Sequence, residues 1–99
     1  MNERQIGLAR HALGLSYERK SYRNYFVTGE GTTDFPDWEA MVAGGFATRR
    51  GPLKIFAGDY CYHLTRAGAM AALRKGEYLC SEDWPESTVN GQTVLREAT

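Results

Sequence analysis

The stretch that decides the fold is residues 34–75, DFPDWEAMVAGGFATRRGPLKIFAGDYCYHLTRAGAMAALRK. Trp38, Met41, Val42 and Phe46 recur at the spacing that puts large apolar groups on one side of a helix. Asp34 stands where a side-chain oxygen caps free backbone N–H groups, and Pro36 follows in the first turn, where its missing N–H costs little. Asp37 and Glu39 place negative charge near the positive end of the helix dipole. Gly44-Gly45 predicts the stop, because glycine takes a left-handed C-terminal conformation cheaply. The period then changes. Phe46–Arg50 reads as a strand, Gly51-Pro52 as a break, Leu53–Phe56 as its resumption and Ala57-Gly58-Asp59 as a turn. Tyr60, Tyr62 and Leu64 alternate with Cys61 and His63 in the pattern of a half-buried strand. Thr65 is placed to cap a helix over Arg66–Arg74, with Ala69, Met70, Ala72 and Leu73 inward and Gly76 beyond it.

Met41, Val42, Gly45 and Phe46, followed by Leu64, Thr65 and Gly68, resemble the second half of a winged-helix domain. In that family the recognition helix leads into a two-stranded wing, and a Leu-Thr-x-x-Gly phrase opens the next helix. The resemblance implies an α+β winged-helix-like domain: N-terminal helices, a central helix, a hairpin wing, a further helix and an irregular acidic tail. "GLARHALGL" at 7–15 with "SYRNYFVTG" at 21–29 is similar to small proteins encoded by tailed phages and prophages. It implies a phage or prophage origin.

Working outward, residues 2–15 read as the first helix. Ile6, Ala9 and Leu13 share a face that Leu8, Ala12 and Leu15 widen. Asn2 is a candidate cap and Gly14 a candidate stop. Gly7 weakens the helix by about 1 kcal/mol relative to alanine and suggests a close helix contact. Over 16–28, Tyr22, Tyr25 and Phe26 fall at i, i+3 and i+4, which favours a second helix over an extended segment. Residues 29–33, Gly-Glu-Gly-Thr-Thr, are a loop of turn formers. Past Gly76, Pro85 prevents a long helix and Asn90-Gly91 marks a turn. The expected organisation is a domain over 1–76 and an irregular acidic tail over 77–99, packed on the domain or frayed.

Ninety-nine residues support one domain with one small core. A hydrophobic content of 42% places the chain with globular rather than disordered sequences. No apolar run approaches the roughly 20 residues that span a bilayer. The start, Met-Asn-Glu-Arg, predicts no secretory leader. Two cysteines, Cys61 and Cys80, read as reduced thiols. The expected compartment is the cytoplasm, that of the host cell if the chain is phage-encoded.

The net charge of zero hides a banded distribution, +2 over residues 1–30, −3 over 31–48, +5 over 49–75 and −4 over 76–99. Local potential, more than the total, steers partners. Arg49, Arg50 and Lys54 would lie on the wing, where cations track phosphates. Arg19, Lys20 and Arg23, interleaved with Tyr17, Tyr22 and Tyr25, would extend that surface. Against DNA stands the helix in the reading position. It carries Asp34, Asp37 and Glu39, whose carboxylates would face phosphates, and no base-reading side chain. Tyrosine and tryptophan favour protein interfaces, which makes Tyr17, Tyr22 and Trp84 candidate contacts.

Chemistry finds little support. Cys61 and His63 share a strand face, but a zinc site wants four ligands and a cysteine nucleophile needs an oriented base. No glycine-rich phosphate loop is present. Neither metal nor cofactor is expected, nor is enzymatic activity. The expectation is a protein that acts by binding a host or phage protein, and the resemblance to phage-encoded proteins implies an accessory, counter-defence role. The alternative is a winged-helix DNA-binding regulator. No membrane partner is expected, and self-association is left open.

Overall fold

The computed structural model describes residues 1–85 and the backbone of residues 87–89 and 92–94. Helix α1 spans Glu3–Leu13. Its capping is reciprocal: the Asn2 side chain accepts from the Gln5 N–H at 2.8 Å, and the Gln5 side chain accepts from the Asn2 N–H at 3.0 Å. That arrangement satisfies two of the donors every helix start leaves free. Gly14 closes the helix as expected.

Residues 16–25 do not form the helix that their aromatic spacing favours. Two of their backbone donors go to the last turn of α1 instead. Tyr22 N–H reaches the Leu13 carbonyl at 3.1 Å and Tyr25 N–H the Ala12 carbonyl at 3.3 Å. The end of α1 offers unpaired carbonyls, and a neighbouring segment supplies the missing donors. Strand β1, Phe26–Thr28, follows directly. The three aromatics therefore part company. Phe26 packs on Trp38, centroids 5.1 Å apart, while Tyr22 and Tyr25 stay exposed.

Helix α2 spans Phe35–Ala43, with Pro36 in its first turn as expected. Asp34 makes no cap: its backbone is already helical, and its carboxylate accepts from Arg4 at 3.3 Å instead. Gly45, at φ +83°, makes the left-handed turn out of the helix. Strand β2, Ala47–Arg50, and strand β3, Tyr60–Leu64, form an antiparallel hairpin with Ala47 opposite Leu64 and Arg50 opposite Cys61. Leu53–Phe56 does not resume the strand. Lys54–Phe56 is a turn of 3₁₀ helix, held by Phe56 N–H to the Leu53 carbonyl at 3.1 Å. β1 pairs with the other side of β3, giving an antiparallel sheet in the order β1-β3-β2.

Helix α3 spans Arg66–Ala72 and stops two residues short of the expected Arg74. Thr65 caps it through Gly68 N–H at 3.2 Å. The close approach expected at Gly7 occurs at Gly68 instead. A Cβ at Gly7 would meet nothing within 4 Å, whereas one at Gly68 would collide with the Phe46 carbonyl. Glycine at 68 lets α3 lie directly on the strand entry.

The core lies between α1, α2, α3 and one face of the sheet. Leu13, Leu15, Trp38, Met41 and Tyr62 are its largest buried apolar side chains, with Trp38 and Tyr62 stacked at 5.3 Å between centroids. Leu79 and Trp84 belong to the same cluster, so the early tail is packed on the domain. Glu77 fastens it. The Arg10 guanidinium binds both Glu77 oxygens, the pair measuring 2.6 Å at Oε2, and also donates to the Ala72 and Leu15 carbonyls at 3.0 and 3.2 Å. That hydrogen bond is the main reason the Glu77 carboxyl lies below its ordinary range. Further along, strands β4, Ser87–Val89, and β5, Gln92–Val94, pair antiparallel where an irregular tail was expected. The expected turn at Asn90-Gly91 lies outside the described residues. Among the described residues no helix is long and apolar enough to cross a membrane.

Candidate functional site

Two surfaces gather the residues singled out from sequence. On the first, the hairpin lies against α2. Arg49 on β2 donates to Glu39 Oε1 at 2.7 Å, and its guanidinium sits 4.9 Å from the Tyr60 ring centroid. The other Glu39 oxygen accepts from the Tyr62 hydroxyl at 2.6 Å. Burial, reinforced by that carboxylate, pushes the Tyr62 phenol far above its ordinary range. Asp34 and Asp37 are both held by Arg4 from α1. Asp34 and the two acids of α2, Asp37 and Glu39, are therefore not free carboxylates aimed at a phosphate backbone, as their positions in sequence suggest. Each has an intramolecular cation. Arg49 is correspondingly turned onto the protein.

Arg50 and Lys54 are exposed and make no ion pair among the described residues. Ile55, beside Lys54 at the hairpin end, is 84% exposed. Behind Arg50, Cys61 Sγ and His63 Nε2 are 4.0 Å apart. Burial raises the Cys61 thiol and lowers His63, and Arg50 lowers His63 further. The pair is thus held as thiol and neutral imidazole at neutral pH, the opposite of an activated thiolate. Among the described residues no three His, Cys, Asp or Glu side chains converge as metal ligands.

The second surface is a groove of about 780 Å³ between residues 16–23 and residues 80–83. Further hydrogen bonds of the same segment, to the early tail, build this groove. Ser21 N–H donates to the Tyr78 carbonyl at 3.1 Å and Tyr78 N–H to the Arg19 carbonyl at 2.9 Å, a parallel bridge between Lys20 and Tyr78. Buried Ser21 accepts from Cys80 N–H through Oγ at 2.8 Å. The floor is thereby fixed to both the first helix and the early tail.

Its rim is aromatic and charged. Tyr17 is 97% exposed and Tyr22 60% exposed. The Tyr22 ring covers Gly14, where a side chain would displace it. Arg23 donates to the His11 carbonyl at 2.7 Å, with its guanidinium 5.3 Å from the Tyr22 centroid and 5.8 Å from that of Tyr25. Lys20 lines the groove, and Arg19 is exposed just outside it. Glu18, Glu82 and Asp83 supply carboxylates.

The structure thus brings Tyr17, Lys20, Tyr22 and Arg23 together and leaves Arg49, Arg50 and Lys54 on the hairpin. Trp84 is a correction. It is 8% exposed and packs in the core, its ring 5.9 Å from the Arg66 guanidinium, so it offers no free face to a partner. Sequence reading missed Glu82 and Asp83 as neighbours of Tyr17, because about sixty positions separate them and no local pattern links them. No family model, curated protein or solved structure matches this chain.

Proposed function

We propose that this is a non-enzymatic protein that acts by binding another protein, and that the groove beside Tyr17 and Tyr22 is its contact surface. The observation that carries this reading is a nearly fully exposed tyrosine on the rim of a pegged, concave surface. Holding a large aromatic in water gains nothing for folding, whereas tyrosine supplies much of the contact energy in protein interfaces. The groove mixes three carboxylates with two cations, a lining that disfavours a polyphosphate and suits a peptide surface. The likeness of residues 7–29 to phage-encoded proteins supports an accessory or counter-defence role, with a host or phage protein as target.

The second reading is a winged-helix DNA-binding regulator. The order of α2, the β2–β3 hairpin and α3 supports a winged-helix-like scaffold, and exposed Arg50 and Lys54 support phosphate contact through the wing. Arg49, bound to Glu39, supports it less.

Fluorescence anisotropy with labelled random duplex DNA at two salt concentrations separates the two. The protein-binding reading expects no salt-steep association. A steep log–log slope that disappears in Arg50→Glu/Lys54→Glu overturns it in favour of DNA. A photo-crosslinking phenylalanine derivative at Tyr17, compared with one at exposed Ala71, supplies the positive test. A discrete protein adduct is expected from position 17 alone.

A further inference from the structure

We propose that the groove receives a basic segment of the partner, with an arginine or lysine side chain seated against the exposed Tyr17 ring and the carboxylates of Glu18, Glu82 and Asp83. This rests on the reading of the groove as a protein-contact surface and names the chemistry it selects.

The charge arrangement points to a cation. Asp34, Asp37, Glu39 and Glu77 all bind an arginine of this chain. Glu18, Glu82 and Asp83 make no ion pair among the described residues, although they share one concave surface. The two cations of the lining do not neutralise them. Arg23 has its Nε and one terminal nitrogen on the His11 carbonyl and its flat face between Tyr22 and Tyr25. Arg23 keeps its charge there, so the lining carries a formal charge of −1, three carboxylates against Lys20 and Arg23.

The aromatic rim points the same way. A guanidinium or ammonium is attracted to the face of a tyrosine ring, and this chain already uses that contact at Tyr22, Tyr25 and Tyr60. A guanidinium also fits a carboxylate through two parallel hydrogen bonds. The groove's volume of about 780 Å³ lies within the usual range for concave small-ligand sites, large enough for one side chain. An acidic or phosphorylated segment would meet three unpaired carboxylates and be repelled.

The test uses the full chain and two fluorescein-labelled peptides, one alternating arginine with glycine and one alternating glutamate with glycine. Anisotropy at low salt is expected to show binding of the arginine peptide alone. Amide shift changes are expected to centre on Tyr17, Tyr22 and Asp83. Asp83→Lys is expected to weaken binding by about tenfold, as removal of a close charge partner does. Glu30→Lys makes the same change of net charge on an exposed loop and is expected to leave binding within about twofold. Absence of arginine-peptide binding, equal binding of both peptides, or equal loss in the two variants would each overturn the proposal. Crosslinking from Tyr17 reports separately. If it persists while the arginine peptide fails, the protein-contact surface stands and the basic occupant is wrong. If both fail, the surface itself is wrong.

Discussion

The hairpin face and the groove beyond α1 are made of the same residue types, arginine, tyrosine and carboxylate, arranged to opposite effect. On the hairpin face they are paired within the chain. Arg49 lies between Glu39 and Tyr60, Tyr62 donates to the same Glu39, and Arg4 holds Asp34 and Asp37. Around the groove Tyr17 stands in water and Glu18, Glu82 and Asp83 have no internal cation among the described residues. Groups of the first kind hold α2, the sheet and α1 in one arrangement. Groups of the second kind contribute little to folding and are available to a partner. The banded charge of the sequence does not distinguish the two kinds, because pairing is a property of proximity.

The largest effect expected from breaking this contrast comes from the core beneath the hairpin face. Trp38 is fully buried and stacked on Tyr62, and Trp38→Ala should cost about 4 kcal/mol, read as a fall in the denaturant midpoint. Glu77→Ala follows. It strands a guanidinium that is 10% exposed, and should cost about 3 kcal/mol at neutral pH.

That second variant also carries a pH signature. Arg10 holds the folded Glu77 carboxyl below its unfolded value. The stabilisation is therefore complete above the unfolded value, about pH 4.3, and is lost as pH falls through the depressed folded value. Urea unfolding should show a wild-type advantage over Glu77→Ala that holds from pH 7 to pH 5 and shrinks below pH 4. A gap independent of pH would show that the pair acts through packing alone.

Tyr62→Phe should be milder, about 1 kcal/mol, since it removes one hydrogen bond and leaves Glu39 on Arg49. The smallest effect belongs to the groove. Tyr17→Ala should change stability by less than about 0.5 kcal/mol while weakening binding of the arginine peptide. A large loss of stability there would erase the distinction between the two faces.

Much of this was legible along the chain. The α2 pattern at Trp38, Met41 and Val42, the strand alternation over Tyr60–Leu64, and the caps at Asn2 and Thr65 all depend on residues within one or two turns of each other. Local periodicity and capping chemistry report such features directly. The failures were equally physical. Tyr22, Tyr25 and Phe26 have helical spacing, but the open carbonyls of α1 captured the N–H groups of Tyr22 and Tyr25. Asp34 has the position of a cap, but Arg4 competes for its carboxylate. Leu53–Phe56 has strand composition, but the chain must turn there between β2 and β3.

The candidate site divides the same way. The tyrosines and cations of 17–25 stood out in sequence, while their acidic counterparts at 82 and 83 did not, and Trp84, a candidate contact, is buried in the core. By itself, the sequence determined that the α1 and α2 segments are amphipathic, that Asn2 and Thr65 cap helices and Gly14 ends one, and that the charge is banded, because each of these is settled by near neighbours. Only the tertiary structure decided which carboxylates meet an arginine, which aromatics are covered, and that residues 16–23 and 80–83 enclose one groove. Those outcomes depend on contacts between positions far apart in the chain, where burial and pairing select among side chains that the linear order leaves equivalent.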